Sequence, residues 1–205
     1  MSREVFEIVK GMDLRNIETQ MALQCAPLIT GLKLSNLLIV QKDNALYVRE
    51  ILKNTGISFR ILCTTEEKTI FLLYNESKLR EFLSEDPVRF LLEELGYEEY
   101  DLEHMFTIFQ SRYETYMRGG GSFPHEMGLF LGYPMEDVKG FIEHKGKHFL
   151  YTGYWKVYEN MPEKIKLFRK FEQAKETLIQ LISCGISIRT VIDIYDEDTQ
   201  KQEAV

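Results

Sequence analysis

Apolar side chains recur at three- and four-residue steps in several stretches of the chain, the spacing that predicts helices packed on a core. The first of these predicted helices begins at a capping residue, Asp13. This helix should end near Cys25, because Pro27 lacks the backbone N–H that a continuing helix needs. The longest helix is predicted to open at Pro162 and to end before Gly185.

Short apolar runs between the helical stretches predict strands. Residues 36–40 are apolar and partly β-branched, as a buried strand should be. Residues 57–63 and 69–74, separated by a polar turn, predict a hairpin, and the aromatic segment 149–158 predicts a further strand.

The order of these elements predicts the fold class. Strands occur as a hairpin and isolated pieces among helices of unequal length, so a regular βαβ alternation is not supported. We predict an α+β fold in which a small mixed or antiparallel sheet packs with several helices. Residues 1–192 are expected to form a single domain, and the acidic tail 193–205 is expected to fray.

Composition narrows the classes of function. The chain of 205 residues has 25 lysines and arginines against 32 aspartates and glutamates, so its net charge of −7 argues against nucleic-acid binding. No apolar stretch approaches the roughly 20 residues of a membrane-spanning helix, and the N-terminus lacks a secretion signal. Three widely spaced cysteines suit reduced thiols, so a cytoplasmic location is expected.

The densest set of candidate binding residues lies in segment 118–126, where three consecutive glycines precede a predicted helix. Arg118, Ser122, His125 and Glu126 supply donors, a carboxylate and an imidazole, and a helix N-terminus favours an anion. The spacing matches neither a phosphate loop nor a dinucleotide fingerprint, and a loop before a capped helix requires no ligand. A small anionic ligand and a purely structural loop both remain open.

A basic turn and an aromatic segment follow. Lys145 and Lys147 flank a glycine, while Tyr154, Trp155 and Lys156 lie in the predicted aromatic strand. These side chains would suit a planar ligand or the surface of another protein, although core filling is the more common role for such aromatics.

Cysteine and histidine give weaker indications. Cys25 lies on an apolar helical stripe, which favours a buried thiol over a reactive one. The four histidines show no recognised ligand spacing, so no metal site is predicted. Segment 127–141 resembles a helix-turn-helix in its small residues, but Glu136 and Asp137 at the start of its second helix favour an ordinary helix corner.

The sequence resembles an uncharacterised bacterial family, domain of unknown function 3793, common in anaerobic Firmicutes. Segments 123–142, 145–147 and 153–158 carry the resemblance, and Cys25-Ala26-Pro27 with Gly31-Leu32-Lys33 extends it. Gln24 stands where the family usually has a histidine, and the family's usual cysteine in the last long helix is replaced near Ala174. The family implies no activity, but its signature implies that residues 124–126 and 153–158 meet in the fold.

These residues support three hypotheses of function. The first is a small-ligand-binding protein, with or without catalysis, whose site combines segment 119–126, the Lys145/Lys147 turn and the strand 154–158, with Cys25 as a further candidate. The second is a non-catalytic protein that binds a partner or a second copy of itself, and the third is DNA binding. Neither a cofactor nor a catalytic residue follows from the sequence.

Overall fold

The computed structural model describes the backbone of residues 1–203 and the side chains of residues 1–196. The chain forms two compact units: unit 1 comprises Met1–Asn75 with Arg169–Val205, and unit 2 comprises Glu76–Phe168. Helices and small antiparallel sheets make up the described chain, which confirms the predicted α+β class. The single domain expected over residues 1–192 stays a prediction.

A three-stranded antiparallel sheet forms the centre of unit 1. Its strands are β1 (Ser35–Gln41), β2 (Ser58–Thr64) and β3 (Lys68–Tyr74), arranged in the order β1-β3-β2. Tyr74 on β3 pairs with Ser35 on one side and Ser58 on the other. The predicted hairpin is therefore confirmed. The central strand β3 is buried at residues 69–74.

The helices of unit 1 come from both ends of the chain. They are α1 (Arg3–Gly11), α2 (Ile17–Ile29), α3 (Ala45–Leu52), the later part of α9 (Met161–Ser183), and α10 (Ile188–Glu203). The boundary between the units falls inside α9. Helix α10 covers most of the tail that was expected to fray, and residues 204 and 205 lie outside the described chain.

Helix α2 differs from its sequence prediction at both ends. Asn16 is the capping residue, because its side chain accepts from the Glu18 backbone N–H at 2.8 Å. The predicted end near Cys25 is wrong, since the helix continues through Pro27 to Ile29. Residues 25–29 are all buried, so packing of this last turn outweighs the backbone hydrogen bond that Pro27 forgoes.

The core of unit 1 is one contiguous apolar cluster. It draws side chains from α1, α2, α3, α9, α10 and the sheet. Its largest fully buried members are Met21, Leu38, Phe71 and Leu73. At about 25 cal/mol per Å² of buried apolar surface, such a cluster is the main source of stability in this unit.

Unit 2 consists of shorter helices and a two-stranded ribbon. Its elements are α4 (Glu76–Ser84), α5 (Asp86–Glu94), α6 (Leu102–Met117), α7 (Met127–Phe130), α8 (Met135–Glu143), β4 (Tyr151–Thr152), β5 (Lys156–Val157) and the start of α9. Asp101 caps α6, because its carboxylate accepts from the His104 backbone N–H at 3.0 Å. Within the described chain, no helix is both long and apolar enough to cross a membrane.

The aromatic segment 149–158 is a ribbon, so the single strand predicted there is wrong. Strands β4 and β5 pair antiparallel, and the Gly153 N–H donates to the Trp155 carbonyl at 3.0 Å across the turn between them. A Cβ at Gly153 would lie 2.4 Å from the Phe168 ring, so only glycine lets the chain reverse this close to α9.

Candidate functional site

Nine of the ten sequence-predicted site residues belong to unit 2, while Cys25 belongs to unit 1. The loop after α6 contributes Arg118, Ser122, His125 and Glu126. Arg118 is exposed and pairs with Glu114 at 3.6 Å, and Ser122 is also exposed. The helix that follows, α7, has only four residues. The helix-end charge expected to attract an anion to this loop is correspondingly small.

His125 occupies an aromatic setting. Its ring centroid lies 5.8 Å from that of Phe123 and 5.7 Å from that of Phe141. The residue is half-buried, and its Nδ1 atom is buried with no hydrogen-bond partner in the part of the chain whose side chains are described. Such an orphaned polar atom is uncommon in folded proteins and calls for a partner.

Glu126, next in sequence, is directed inward instead. Its side chain is 3% exposed, and Oε1 accepts from the Tyr97 hydroxyl at 3.1 Å and from the Arg112 guanidinium at 2.8 Å. Burial, and then the charge of Glu126, raises the pKa of Tyr97. Burial lowers the pKa of Arg112, but the hydrogen bond and charge of Glu126 outweigh this and leave it raised. These contacts give Glu126 a structural role.

Lys156 reaches the same aromatic ring as His125. From β5 its Nζ lies 5.7 Å from the centroid of Phe141 and 4.9 Å from that of Phe149, and it donates to the Gly146 carbonyl at 2.7 Å. Gly146 has a φ of +70°, and a Cβ there would lie 3.0 Å from Phe141. We call these five residues, His125, Phe141, Gly146, Phe149 and Lys156, the Phe141 cluster.

The Phe141 cluster brings together three segments that the sequence suggested separately. These are the loop 119–126, the basic turn 145–147 and the ribbon strand β5. Lys145 and Lys147 are exposed on either side of Gly146. Residues 124–126 and 153–158 therefore do lie close in the fold, because His125 and Lys156 contact the same phenyl ring.

A buried carboxylate, Asp137, holds the ribbon in place. Its Oδ2 accepts from the Trp155 indole N–H at 2.7 Å, and its Oδ1 accepts from the backbone N–H groups of Tyr158 at 2.7 Å and Glu159 at 3.2 Å. Asp137 is 2% exposed, so this acid at the start of α8 does not face solvent. Its role is to fix the strand from which Lys156 projects.

The remaining aromatic candidates pack inside unit 2. The Trp155 ring stacks on Tyr133 at 4.8 Å and meets Phe168 edge-on at 4.6 Å. Tyr154 is half-buried, and its ring lies 5.5 Å from that of Phe168. Trp155 and Tyr154 thus support the ribbon more than they offer a face for a ligand.

Tyr158 places a second orphaned atom beside the ribbon. Its hydroxyl oxygen is buried with no hydrogen-bond partner within the described side chains. Its ring stacks on His144 at 5.7 Å, and burial, followed by the charge of Asp137, raises its pKa.

Cys25 is a buried thiol. It is fully buried, its Sγ donates to the Leu37 carbonyl at 3.7 Å, and burial raises its pKa to about 12. At neutral pH it stays protonated and is a poor nucleophile. Among the described side chains, no group of three or more His, Cys, Asp or Glu residues is arranged to hold a metal ion.

Sequence reasoning missed Asp137, Phe141 and Phe149. Asp137 was interpreted only as an acid at a helix start that favours an ordinary helix corner. A signal was available, because a buried tryptophan needs an acceptor for its N–H and Trp155 lies in the same signature. Phe141 and Phe149 carry no such signal, since only the tertiary fold brings them to Lys156.

Residues 21–192 match a family model described as protein of unknown function, DUF3793. The chain belongs to the DUF3793 family. The match covers Cys25, the whole of unit 2 and therefore the complete Phe141 cluster, which confirms the resemblance found in the sequence. No curated protein and no solved structure matches this DUF3793 chain.

Proposed function

We propose that this DUF3793 protein binds a small anionic ligand with a planar group at the Phe141 cluster. The observation that carries the proposal is the convergence of His125 and Lys156 on the ring of Phe141, with Nδ1 of His125 buried and unpartnered. A lysine ammonium has three donors, and Lys156 uses one of them on Gly146. An aromatic wall with a few convergent polar groups is typical of ligand sites.

The local charge supports an anion. Residues 138–156 contain four lysines and one glutamate, a formal charge of +3 in a chain whose net charge is −7. Because this segment is positive whereas the whole chain is negative, an anion should bind more favourably here than elsewhere on the surface. Exposed Lys145 and Lys147 would steer such a ligand, and Lys156 would bind its charged group.

The orphaned Nδ1 of His125 supports a ligand with its own hydrogen-bonding group. A buried polar atom without a partner typically destabilises a fold by about 1–3 kcal/mol. A ligand that supplies the partner recovers this free energy on binding. The proposal is one of binding by a bacterial, cytoplasmic protein, and it includes no reaction.

A thermal-shift panel of phenyl phosphate, 2-naphthoate and nucleoside monophosphates tests the proposal. We expect at least one compound to raise the melting temperature of the wild type and of Lys139→Met, a control on α8 whose lysine is exposed. Lys156→Met should abolish the shift. If no compound stabilises the protein, or if both variants respond equally, the proposal is wrong.

Self-association is the second candidate function, favoured by three consecutive exposed apolar residues. Phe149, Leu150 and Tyr151 are 42%, 57% and 41% exposed. A second copy that covers them would give a mass in solution above 24.1 kDa. Light scattering that returns a monomer at all concentrations contradicts this candidate. Nucleic acid is not proposed, because the net charge repels it.

A further inference from the structure

A row of aromatic rings continues from the Phe141 cluster to the end of α6. Tyr116, in the last turn of α6, lies 5.3 Å from Phe123 between ring centroids, and the two rings meet edge-on. Phe123 lies 5.8 Å from His125, which in turn lies 5.7 Å from Phe141. We call Tyr116 and Phe123 the Tyr116 pair. All four rings belong to unit 2, and the imidazole of His125 lies between the Tyr116 pair and Phe141.

The Tyr116 pair is open to solvent. Its side chains, Tyr116 and Phe123, are 39% and 38% exposed. Phe106 and Phe109, earlier on α6, are fully buried, so this helix fills the core with its middle turns. The rings at its end contact each other edge-on instead, an arrangement that leaves part of each ring available for a further aromatic partner.

A buried polar atom at the middle of the row indicates what kind of molecule covers it. Nδ1 of His125 finds no hydrogen-bond partner in residues 1–196, and the phenyl rings of Phe123 and Phe141 on its two sides cannot supply one. A purely apolar occupant would leave this atom unsatisfied. The occupant therefore brings a polar group to the middle of the row, and the formal charge of +3 over residues 138–156 favours a negative one.

We propose that the ligand of this site has two planar groups joined by an anionic linker, the chemical class of a dinucleotide. The inference rests on the proposed function, which places one planar group at the Phe141 cluster, and it adds a second subsite at the Tyr116 pair. The linker lies at His125, where an Nδ1–H donates to one of its oxygens, while Lys156 neutralises its charge. Side chains hold the phosphates in this site, so it requires no glycine-rich dinucleotide fingerprint.

Calorimetric titrations at pH 8 with AMP and with diadenosine diphosphate test the second subsite. The two probes carry equal charge at this pH, because the second ionisation of the AMP phosphate is complete, but only diadenosine diphosphate has two adenines. Loss of one base–aromatic contact lowers affinity roughly 5- to 150-fold in proteins that stack bases on aromatic side chains. We therefore expect the wild type to bind diadenosine diphosphate at least fivefold more tightly than AMP.

Tyr116→Leu separates stacking from simple apolar contact, because leucine keeps an apolar side chain without a ring. This variant should bind AMP as the wild type does and should lose the advantage of diadenosine diphosphate. Phe90→Leu is the matched control, since it removes another exposed ring of unit 2, on α5, and it should keep the advantage. Lys156→Met should weaken the binding of both probes.

The outcomes distinguish this inference from the proposed function. Equal affinities of the wild type for the two probes overturn the second subsite and leave the proposed function standing. The same holds for an advantage that survives Tyr116→Leu or that Phe90→Leu also removes. If neither probe binds but phenyl phosphate or 2-naphthoate does, the dinucleotide class is wrong and the proposed function stands. If none of these compounds binds, both are wrong.

Discussion

Units 1 and 2 of this DUF3793 chain are stabilised by different interactions. Unit 1 surrounds a three-stranded sheet with one contiguous apolar cluster. Unit 2 has shorter elements, and among the described side chains both buried acids, Glu126 and Asp137, belong to it. Each acid bonds to donors from other segments, so charged hydrogen bonds fix loops where regular structure is sparse. Unit 2 should therefore be more sensitive to polar substitutions.

The largest effect is expected for Asp137→Asn. The substitution keeps the shape of the side chain but replaces one acceptor oxygen by an amide NH₂ group. This donor would then face another donor, either the Trp155 indole N–H or the Tyr158 backbone N–H. We expect a loss of about 3–5 kcal/mol in the free energy of unfolding, measured by urea titration with fluorescence of Trp155, the single tryptophan.

Glu143→Gln is the matched control for Asp137→Asn. Glu143 is exposed on the same helix and pairs only loosely with Lys139, at 3.9 Å. Its substitution should change the free energy of unfolding by less than about 0.5 kcal/mol. Equal effects of the two substitutions would contradict the claim that buried carboxylates stabilise unit 2.

A smaller loss, about 2–3 kcal/mol, is expected for Glu126→Gln. The amide keeps one acceptor for Tyr97 but removes the charge that faces the partly exposed Arg112. Arg118→Gln, at an exposed pair, should have almost no effect on urea unfolding. A Glu126→Gln protein as stable as the wild type would contradict the structural role given to this ion pair.

Unit 1 should respond to pH through its thiol. The pKa of Cys25 is about 12 in the folded chain against an ordinary 9.0, so the unfolded state releases its proton first as pH rises. The contribution of this thiol to stability is therefore lost between these values, by about 2–3 kcal/mol from pH 8 to 11. Lys33, with its lowered pKa, acts in the opposite direction between about 8 and 10.5.

Cys25→Ala isolates the thiol, because the contribution of Lys33 is present in both proteins. Between pH 8 and 11, the free energy of unfolding of the wild type should change by about 2–3 kcal/mol less favourably than that of Cys25→Ala, as urea titrations at the two pH values would show. Cys184→Ala, which removes an exposed thiol, should behave as the wild type does. Identical pH dependence of all three proteins would contradict the burial of Cys25.

The sequence predicted features that depend on neighbouring residues along the chain. The hairpin β2–β3 and the end of α9 before Gly185 both follow from local periodicity and turn chemistry. Pro27 was misjudged because burial of the last turn of α2 overrides a local rule. Segment 149–158 was misjudged because its reversal at Gly153 depends on Phe168, a contact that local sequence does not encode.

The same limit applies to the candidate site. His125 and Lys156 were predicted from their chemistry and spacing. Phe141, which both of them contact, was not, because an apolar residue on a helix gives no sign of its tertiary neighbours. Glu126 and Asp137 show the converse, since a carboxylate in the sequence does not reveal whether it faces solvent or a buried donor.

Side-chain NMR of labelled histidines tests the central claim most directly. On titration with AMP and with 2-naphthoate, we expect at least one probe to shift the His125 ring resonances saturably. The same probe should leave His104, an exposed residue on α6, unchanged. The shift should vanish in Lys156→Met and persist in Lys139→Met. A His125 signal that neither probe moves, or an equal response in Lys156→Met, would contradict ligand binding at the Phe141 cluster.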